Sequence, residues 1–340
     1  MIYRNKRLNS IFIGALFGIS IILSGCGSES GEAKEENAQI DLMLDWYPNA
    51  VHSYLYVAEE KGFFEEQGLD VNLHFPTNPT DPINMVASGQ MTLGITYQPD
   101  VITARANQGI NIKSVAAIVR SPLNHVVMLE NSEMESPADL EGMKVGYPGI
   151  PLNEALIKTM VSEAGGNPEE VEMIDVGFEL GSSLVSKKVD AVVGAYINHE
   201  VPLLASKGVE TKTLNPEKYG VPPYYELVLV TNDENWEGKE EEIRAFWKAA
   251  SKGYEWMAEH PTEAVELLLK NQDEANFPLA KEVEDESMAI LLPRMKADEG
   301  FGSQSKEDWK NVADWMLERE LIEELPDLDL IFENLLEEES

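Results

Sequence analysis

Short apolar runs and helix-like stretches alternate along most of the chain. In "LDVNLHF" every second residue is apolar, which is the period of a half-buried strand. An apolar-rich run, "QIDLMLDW", comes earlier, and the segment between them, "HSYLYVAEEKGFFEEQG", is divided into two short helical pieces by Gly62 and Gly68. This pattern predicts a unit of strand, helix and strand.

The same unit repeats further along the chain. Two helix-like segments, "TDPINMVASG" and "QPDVITARANQG", open with a proline and close with a glycine, and each is followed by a strand-like run, "QMTLGITY" or "INIKSVAAIV". Strands that alternate with helices of this length predict an α/β fold with mainly parallel sheets wrapped by helices.

A comparable series begins after "NHVVMLE". The capping-box sequence "SPAD" is followed by a strand, "MKVGY", a helix, "LNEALIKTMVSEAGG", and two more strands, "VEMIDV" and "VDAVVGAY". We therefore predict two α/β lobes with a cleft between them. Lobe 1 comprises residues 38–130 and 224–334, lobe 2 comprises residues 131–223, and two crossings near Glu130 and Tyr225 join them.

The N-terminus has the features of a bacterial lipoprotein signal. Three basic residues precede an apolar run of about 13 residues, too short to span a bilayer of roughly 30 Å, and "LSGC" follows. We predict a signal peptide over residues 1–25, lipidation of Cys26 by palmitate and a polar tether over residues 26–37. The mature protein is then lipid-anchored on the extracytoplasmic face of the cell membrane.

Charge and residue spacing exclude several function classes. The chain has 61 acidic and 26 basic residues, a formal net charge of −35, and such a surface repels nucleic acid. Cys26 is the one cysteine, which excludes an intrachain disulfide and a Cys-rich metal site. The five histidines form no close pair suited to one metal, and phosphate-binding glycine loops and a serine-hydrolase elbow are absent from the sequence. We predict no nucleic-acid partner, no metal and no cofactor.

Aromatic, amide and carboxylate residues collect just after the predicted strands. In open α/β sheets ligands bind at the ends of parallel strands, and two lobes would turn two such rims toward each other. The candidate ligand-binding residues are Asp45, Trp46, Asn49, His52, Tyr97, Tyr147, Gly149, Tyr196, Glu200, Tyr225 and Glu226. Each has a structural alternative, since Asp45 and Asn49 are also common helix caps and Tyr225 could pack a crossing.

The residue types in this set favour one class of ligand. Aromatic walls and carboxylates that accept from amino groups suit a small, planar, nitrogen-rich molecule. A sulfonate or nitrate instead requires arginine, hydroxyl groups and free helix N-termini. The pattern indicates a neutral or cationic heterocycle.

Several segments together resemble a known family. The lipoprotein signal, "LDWYPNAVHSYLYVAEEKGFFEEQGLDV", "SGQMTLGI" and "SPADLEGMKVGYPG" are similar to the solute-binding proteins of ABC importers, in the branch that binds thiamine-pyrimidine precursors. "DWYPNAVH" is the most specific of these segments. The resemblance implies a type II periplasmic-binding-protein fold and a ligand such as N-formyl-4-amino-5-aminomethyl-2-methylpyrimidine, salvaged for thiamine. Hydroxymethylpyrimidine and thiamine are alternatives.

The same fold family includes a fungal enzyme that makes the pyrimidine from pyridoxal phosphate and one of its own histidines. His52 occupies the position that the resemblance gives to that histidine. The cofactor-binding lysine of the enzyme would lie one helical turn earlier, where this chain has Pro48. We therefore expect a binding protein and not an enzyme.

The sequence leads to one main hypothesis. We expect a monomeric, membrane-anchored receptor that binds an aminopyrimidine between its lobes and presents it to an ABC permease. Trp46, Tyr196 and Tyr225 are predicted as ring or wall contacts and Glu200 as the partner of the amino edge. A sulfonate or nitrate receptor and a pyrimidine synthase are the alternatives.

Overall fold

A computed structural model of the protein describes residues 37–335, which form two five-stranded sheets with helices packed against them. The predicted signal peptide, Cys26 and the tether up to residue 36 lie outside the described residues. The predicted α/β fold of two lobes is confirmed.

The strands and helices follow the alternation predicted from the sequence. The strands are β1 (Ala38–Met43), β2 (Leu69–His74), β3 (Leu93–Thr96), β4 (Ile112–Val119), β5 (Asn124–Leu129), β6 (Lys144–Tyr147), β7 (Glu172–Asp175), β8 (Ala191–Tyr196), β9 (Thr211–Leu214) and β10 (Leu227–Asn232). The α-helices are α1 (Ser53–Glu60), α2 (Phe63–Glu66), α3 (Asp81–Ala87), α4 (Gln98–Gln108), α5 (Pro151–Glu163), α6 (Leu180–Val185), α7 (Glu200–Ser206), α8 (Asp233–Glu259), α9 (Pro261–Lys270), α10 (Lys281–Met295), α11 (Lys306–Glu318) and α12 (Leu328–Ile331). Short 3₁₀ turns lie at Ala50–His52, Pro137–Leu140, Pro168–Glu170 and Pro216–Tyr219.

Each sheet contains one strand that runs against its neighbours. The strand orders are β2-β1-β3-β10-β4 in lobe 1 and β7-β6-β8-β5-β9 in lobe 2, with β10 and β5 antiparallel to both of their partners. The other strands of each lobe end at the cleft. At each crossing the chain leaves one lobe at the cleft and enters the other lobe at the cleft. The first strand after each crossing, β5 or β10, therefore runs away from the cleft.

The pairing of β5 corrects the predicted lobe boundary. We assigned residues up to 130 to lobe 1, but β5 hydrogen-bonds to β8 and β9 in the sheet of lobe 2. The first crossing therefore lies at residues 120–123. The apolar run "HVVML" indicates a strand but carries no information about its partner, which is why the sequence placed the crossing too late.

Helices α8 and α11 supply much of the lobe 1 core. On α8 the apolar stripe that contains Phe246 and Trp247 is buried, and on α11 Trp309 and Val312 are buried likewise. These late aromatic residues therefore pack the fold instead of lining the cleft. Within residues 37–335 no helix is both long and apolar enough to cross a membrane.

A glycine in α8 allows this helix to approach α1 closely. A Cβ atom added to Gly253 would lie 2.2 Å from the carbonyl oxygen of Tyr54 and 3.0 Å from the Cβ of Ala58. Because α1 follows directly on the loop after β1, this contact helps to hold that loop in place.

We predict that Gly253→Ala destabilises the protein even though alanine is the better helix former. Overpacking against α1 should lower the free energy of unfolding by about 1–3 kcal/mol in chemical denaturation. Gly238→Ala, at an exposed position with open space around it beside the break in α8 at Lys239, is the control and should change the free energy of unfolding by no more than about 1 kcal/mol. Equal effects at the two positions would contradict the close approach.

Candidate functional site

A narrow, largely enclosed cavity lies between the lobes. It is bounded by the loops that follow β1, β3, β6 and β8 and by the first crossing, which is where an α/β protein places a ligand. From lobe 1 and the first crossing its lining residues are Asp45, Trp46, Asn49, Val51, Tyr97 and Leu123. From lobe 2 they are Asn124, Pro148, Ile150, Leu152, Asn153, Gly194, Tyr196, Asn198, His199 and Glu200.

The loop after β1 is held by its own side chains. Asn49 is the N-cap of the turn that leads into α1, and its Oδ1 accepts the backbone N–H of Val51 at 3.1 Å. The backbone N–H of Asn49 donates to Nδ1 of His52 at 3.2 Å, which completes a capping box. The backbone N–H of Ala50 donates to Oε2 of Glu284, on α10, at 2.8 Å. Three N–H groups at this helix start are therefore already bound.

The wall from lobe 2 follows β8. The backbone N–H of Tyr196 donates to Oε2 of Glu200 at 2.8 Å, and Oε1 of Glu200 lies 3.0 Å from Nδ1 of His199. Although burial alone would lower it, the pKa of His199 is raised because the carboxylates of Glu200 and Glu284 surround the ring. This wall therefore presents a carboxylate held by its own loop and, next to it, an imidazole whose pKa is raised by two acidic neighbours.

Two asparagines that the sequence analysis did not single out organise the cavity floor. The side-chain amide of Asn124 donates to Oδ1 of Asn153 at 2.7 Å, and its own oxygen accepts the backbone N–H of Gly194 at 2.7 Å. Gly194 has φ 97°, and a Cβ there would lie 2.7 Å from Cδ of Pro148. Asn124 begins a strand and Asn153 lies in a helix, and neither position has a distinguishing sequence signal, so only the three-dimensional structure reveals these contacts.

The lobes touch each other around the cavity. Nδ2 of Asn198 in lobe 2 donates to Oγ of Ser287 in lobe 1 at 2.9 Å, and both side chains are buried. The ring of Trp46 packs edge-on against Phe178 of lobe 2, with ring centroids 4.4 Å apart. Trp46 thus belongs to the apolar cluster of lobe 2 although it is part of lobe 1.

Glu226 joins the two crossings from beneath the cavity. It lies on the second crossing, and its Oε2 accepts the backbone N–H groups of Leu123 at 2.6 Å and Asn124 at 3.0 Å on the first. Its Oε1 accepts the hydroxyl of Tyr196 at 3.1 Å. Burial raises the pKa of Glu226 to about 7, although these hydrogen bonds partly offset it. Burial likewise raises the pKa of Asp100 to about 7, with a partial offset from the Leu152 backbone amide.

Six of the predicted residues line the cavity, namely Asp45, Trp46, Asn49, Tyr97, Tyr196 and Glu200. Five do not. His52 is fully buried behind Asp45, and Glu226 lies beneath Tyr196. Gly149 supplies a left-handed turn against Asp175, and the pKa of Tyr147 is raised to about 12, chiefly by a hydrogen bond to Glu154. Tyr225 donates to Asp308 on α11 at 2.6 Å, which corrects its predicted role as a ligand wall.

Unpaired polar atoms show what the cavity can still bind. Oδ1 of Asn198 is buried without a hydrogen-bond partner, whereas the buried indole N–H of Trp46 interacts with the hydroxyl of Tyr47. Asp45 uses Oδ1 for His52 and keeps its second oxygen available. None of the described residues that line the cavity is lysine or arginine. The arrangement thus suits a ligand with several N–H donors. In the described part of the chain no group of three or more His, Cys, Asp or Glu side chains could hold a metal ion.

Residues 49–264 match the family model described as NMT1/THI5 like. The chain belongs to this family. The match runs from Asn49 into α9 and includes every cavity-lining residue except Asp45 and Trp46. The predicted resemblance to the thiamine-pyrimidine branch and its fungal synthases is confirmed.

Relatives within the NMT1/THI5-like family include binding proteins and enzymes. The chain is 52% identical to a formylaminopyrimidine-binding protein of Halalkalibacterium halodurans over 92% of this chain and 93% of that one. It is 29% identical to the 4-amino-5-hydroxymethyl-2-methylpyrimidine phosphate synthase THI11 of Saccharomyces cerevisiae, over 66% of this chain and 69% of that one.

Solved structures share the fold at low sequence identity. The ligand-binding component of an ABC-type import system from Staphylococcus aureus, with zinc bound, matches with a TM-score of 0.70 and 16% identity, over 89% of this chain and 99% of that one. The alkanesulfonate-binding protein SsuA from Xanthomonas axonopodis pv. citri, bound to MOPS, matches with a TM-score of 0.69 and 12% identity, over 88% and 99%. These likenesses show the periplasmic-binding-protein architecture of this family member.

We predict that Glu226 makes folding stability fall with rising pH. Its pKa is raised from an ordinary 4.5 to about 7, so between these values the folded protein binds more protons than the unfolded chain. The difference in free energy of unfolding, wild type minus Glu226→Gln, should therefore decrease by on the order of 2 kcal/mol from pH 4.5 to pH 7. Urea denaturation at several pH values measures this difference.

The control for this experiment is Glu255→Gln, at an exposed position on α8. Its stability difference from wild type should stay constant across the same pH range. A constant difference for Glu226→Gln as well would contradict the raised pKa.

Proposed function

We propose that this protein is the solute receptor of an ABC importer and captures N-formyl-4-amino-5-aminomethyl-2-methylpyrimidine for thiamine salvage. The observation that carries this proposal is the closed cavity with Asp45 and Glu200 on opposite walls and aromatic rings beside them. The 52% identity to a formylaminopyrimidine-binding protein over nearly the whole chain supports it.

The chemistry of the ligand fits the available groups. A 4-aminopyrimidine donates from its exocyclic amine, and the carboxylates of Asp45 and Glu200 accept such hydrogen bonds. Trp46, Tyr97 and Tyr196 provide flat apolar area for the ring. The formamide carries an N–H that matches the unpaired Oδ1 of Asn198.

Sulfonate or nitrate binding is disfavoured by the helix start that faces the cavity. An anion would bind to free N–H groups there. In this protein those of Asn49, Ala50 and Val51 donate to His52, Glu284 and Asn49 side chains respectively. Asp45 and Glu200 add negative charge nearby, which would repel an anion. We therefore expect the protein to share the fold of sulfonate receptors but not to bind their class of ligand.

Pyrimidine synthesis is a weaker candidate for the same site. The relative from Saccharomyces cerevisiae is a synthase, and His52 lies near the cavity. In this chain, however, both ring nitrogens of His52 already have partners, and Pro48 stands where the resemblance places the enzyme's lysine. A receptor role requires only that ligand bind the closed lobes more tightly than the open ones.

The remaining parts of the proposal concern location and partners. The basic and apolar leader followed by "LSGC" supports cleavage before Cys26 and lipid anchoring of that residue. The receptor would then work as a monomer on the extracytoplasmic face, tethered close to the ABC permease. Metabolic labelling with a palmitate analogue, with Cys26→Ser as the control, tests the anchor.

We predict that isothermal titration calorimetry detects binding of the formylaminopyrimidine and no heat with taurine. Hydroxymethylpyrimidine and thiamine are titrated in the same way. Their affinities show how much the substituent at C5 of the pyrimidine contributes to binding. Heat from taurine alone would contradict the proposed ligand class, and release of hydroxymethylpyrimidine phosphate after incubation with pyridoxal phosphate and iron would favour the synthase.

We predict that Asp45→Asn weakens binding of the formylaminopyrimidine. The change keeps the shape of the side chain but removes the charge that accepts from the amine, which costs about 1.5–3 kcal/mol, or roughly ten- to a hundredfold in Kd. Asp41→Asn, on β1 four residues before Asp45 and half-exposed beside His74, is the matched control and should leave Kd unchanged. Equal affinities of wild type and Asp45→Asn would show that Asp45 does not contribute to ligand binding.

A further inference from the structure

His52 is a fully buried histidine that adjoins the cavity without lining it. Its Nδ1 accepts the backbone N–H of Asn49 at 3.2 Å, and its Nε2 lies 2.9 Å from Oδ1 of Asp45. Both of its partners line the cavity. The ring therefore connects two candidate ligand contacts and is itself shielded from the ligand.

The contact at Nδ1 determines where the ring proton resides. A backbone N–H can only donate, so Nδ1 must offer its lone pair, and the neutral ring then carries its proton on Nε2. That proton points at Oδ1 of Asp45. In this tautomer His52 gives Asp45 a donor and gives Asn49 an acceptor, and neither ring nitrogen is free.

We propose that His52 is a positioning residue that orients Asp45 and thereby sets the receptor's selectivity for an amino-bearing ligand. The hydrogen bond engages Oδ1 and turns Oδ2 of Asp45 toward the cavity. Without it, Oδ1 would be a buried carboxylate oxygen without a donor, and the side chain could rotate out of the binding geometry. This inference rests on the proposed function, because the ligand defines what Asp45 must face.

Two isosteric substitutions separate the two contacts of the ring. The terminal amide of His52→Gln reaches about as far as Nε2 and can donate to Asp45, whereas that of His52→Asn reaches only as far as Nδ1 and can accept from Asn49. If orientation of Asp45 is the role, Gln should keep the Kd for the formylaminopyrimidine within about threefold of wild type. Asn should weaken it at least about fivefold.

A double-mutant cycle tests whether the effect passes through Asp45. His52→Asn should weaken binding at least about fivefold in the wild-type background and less than about twofold in Asp45→Asn, because the oriented charge is already gone. Thermal melting of each variant shows that it is folded. Equal losses in both backgrounds, or no difference between Gln and Asn, would overturn the proposal by indicating a purely structural role.

A measurement on the ligand-free protein tests the geometry independently. Nitrogen-15 NMR of labelled histidine should report Nδ1 of His52 unprotonated and Nε2 protonated at pH 7. The opposite tautomer, or a doubly protonated ring, would overturn the inference whether or not the pyrimidine binds. Failure of the wild-type protein to bind any pyrimidine would instead count against the proposed function alone.

Discussion

The buried carboxylate of Glu226 is the contact on which the arrangement of the two lobes depends. It reaches from one crossing to the backbone of the other and to Tyr196 in the wall of lobe 2. A buried carboxylate is costly unless its oxygens are supplied with donors, and here four groups supply them, including the hydroxyl of Tyr224. The relative position of the two cavity walls thus depends on the hydrogen bonds made by the carboxylate of Glu226.

Around the cavity, many of the protein's hydrogen-bonding groups are already paired with one another in the absence of a solute. The helix start after β1 is capped by Asn49, His52 and Glu284, and Glu200 is held by the backbone of Tyr196. What is left open is a small set of acceptors. Under the proposed function, groups that are already occupied contribute to selectivity as much as groups that are free, so the protein can share an architecture with a sulfonate receptor.

The sequence was informative where local chemistry decides the structure and uninformative where distant partners do. Strand and helix units could be read from periodicity, and the first-loop residues Asp45, Trp46 and Asn49 from their place after a strand. Glu284 and Ser287 lie more than 200 residues further along, and the packing of α10 brings them to Ala50 in the first loop and to Asn198 in the lobe 2 wall. Tyr225 was misassigned because an aromatic residue at a crossing can face either the cleft or the core, and its hydroxyl found Asp308.

The insertion of β10 between β3 and β4 has a consequence for how the chain acquires its structure. Residues 124–214 contain every strand of the lobe 2 sheet and can assemble from a continuous segment. Lobe 1 has no such route, since β10, which pairs with both β3 and β4, is made about a hundred residues after β4. Until then β3 and β4 expose unpaired edges. During synthesis the strands of lobe 1 that are made first must therefore be kept from pairing with other chains, and we expect lobe 2 to fold first.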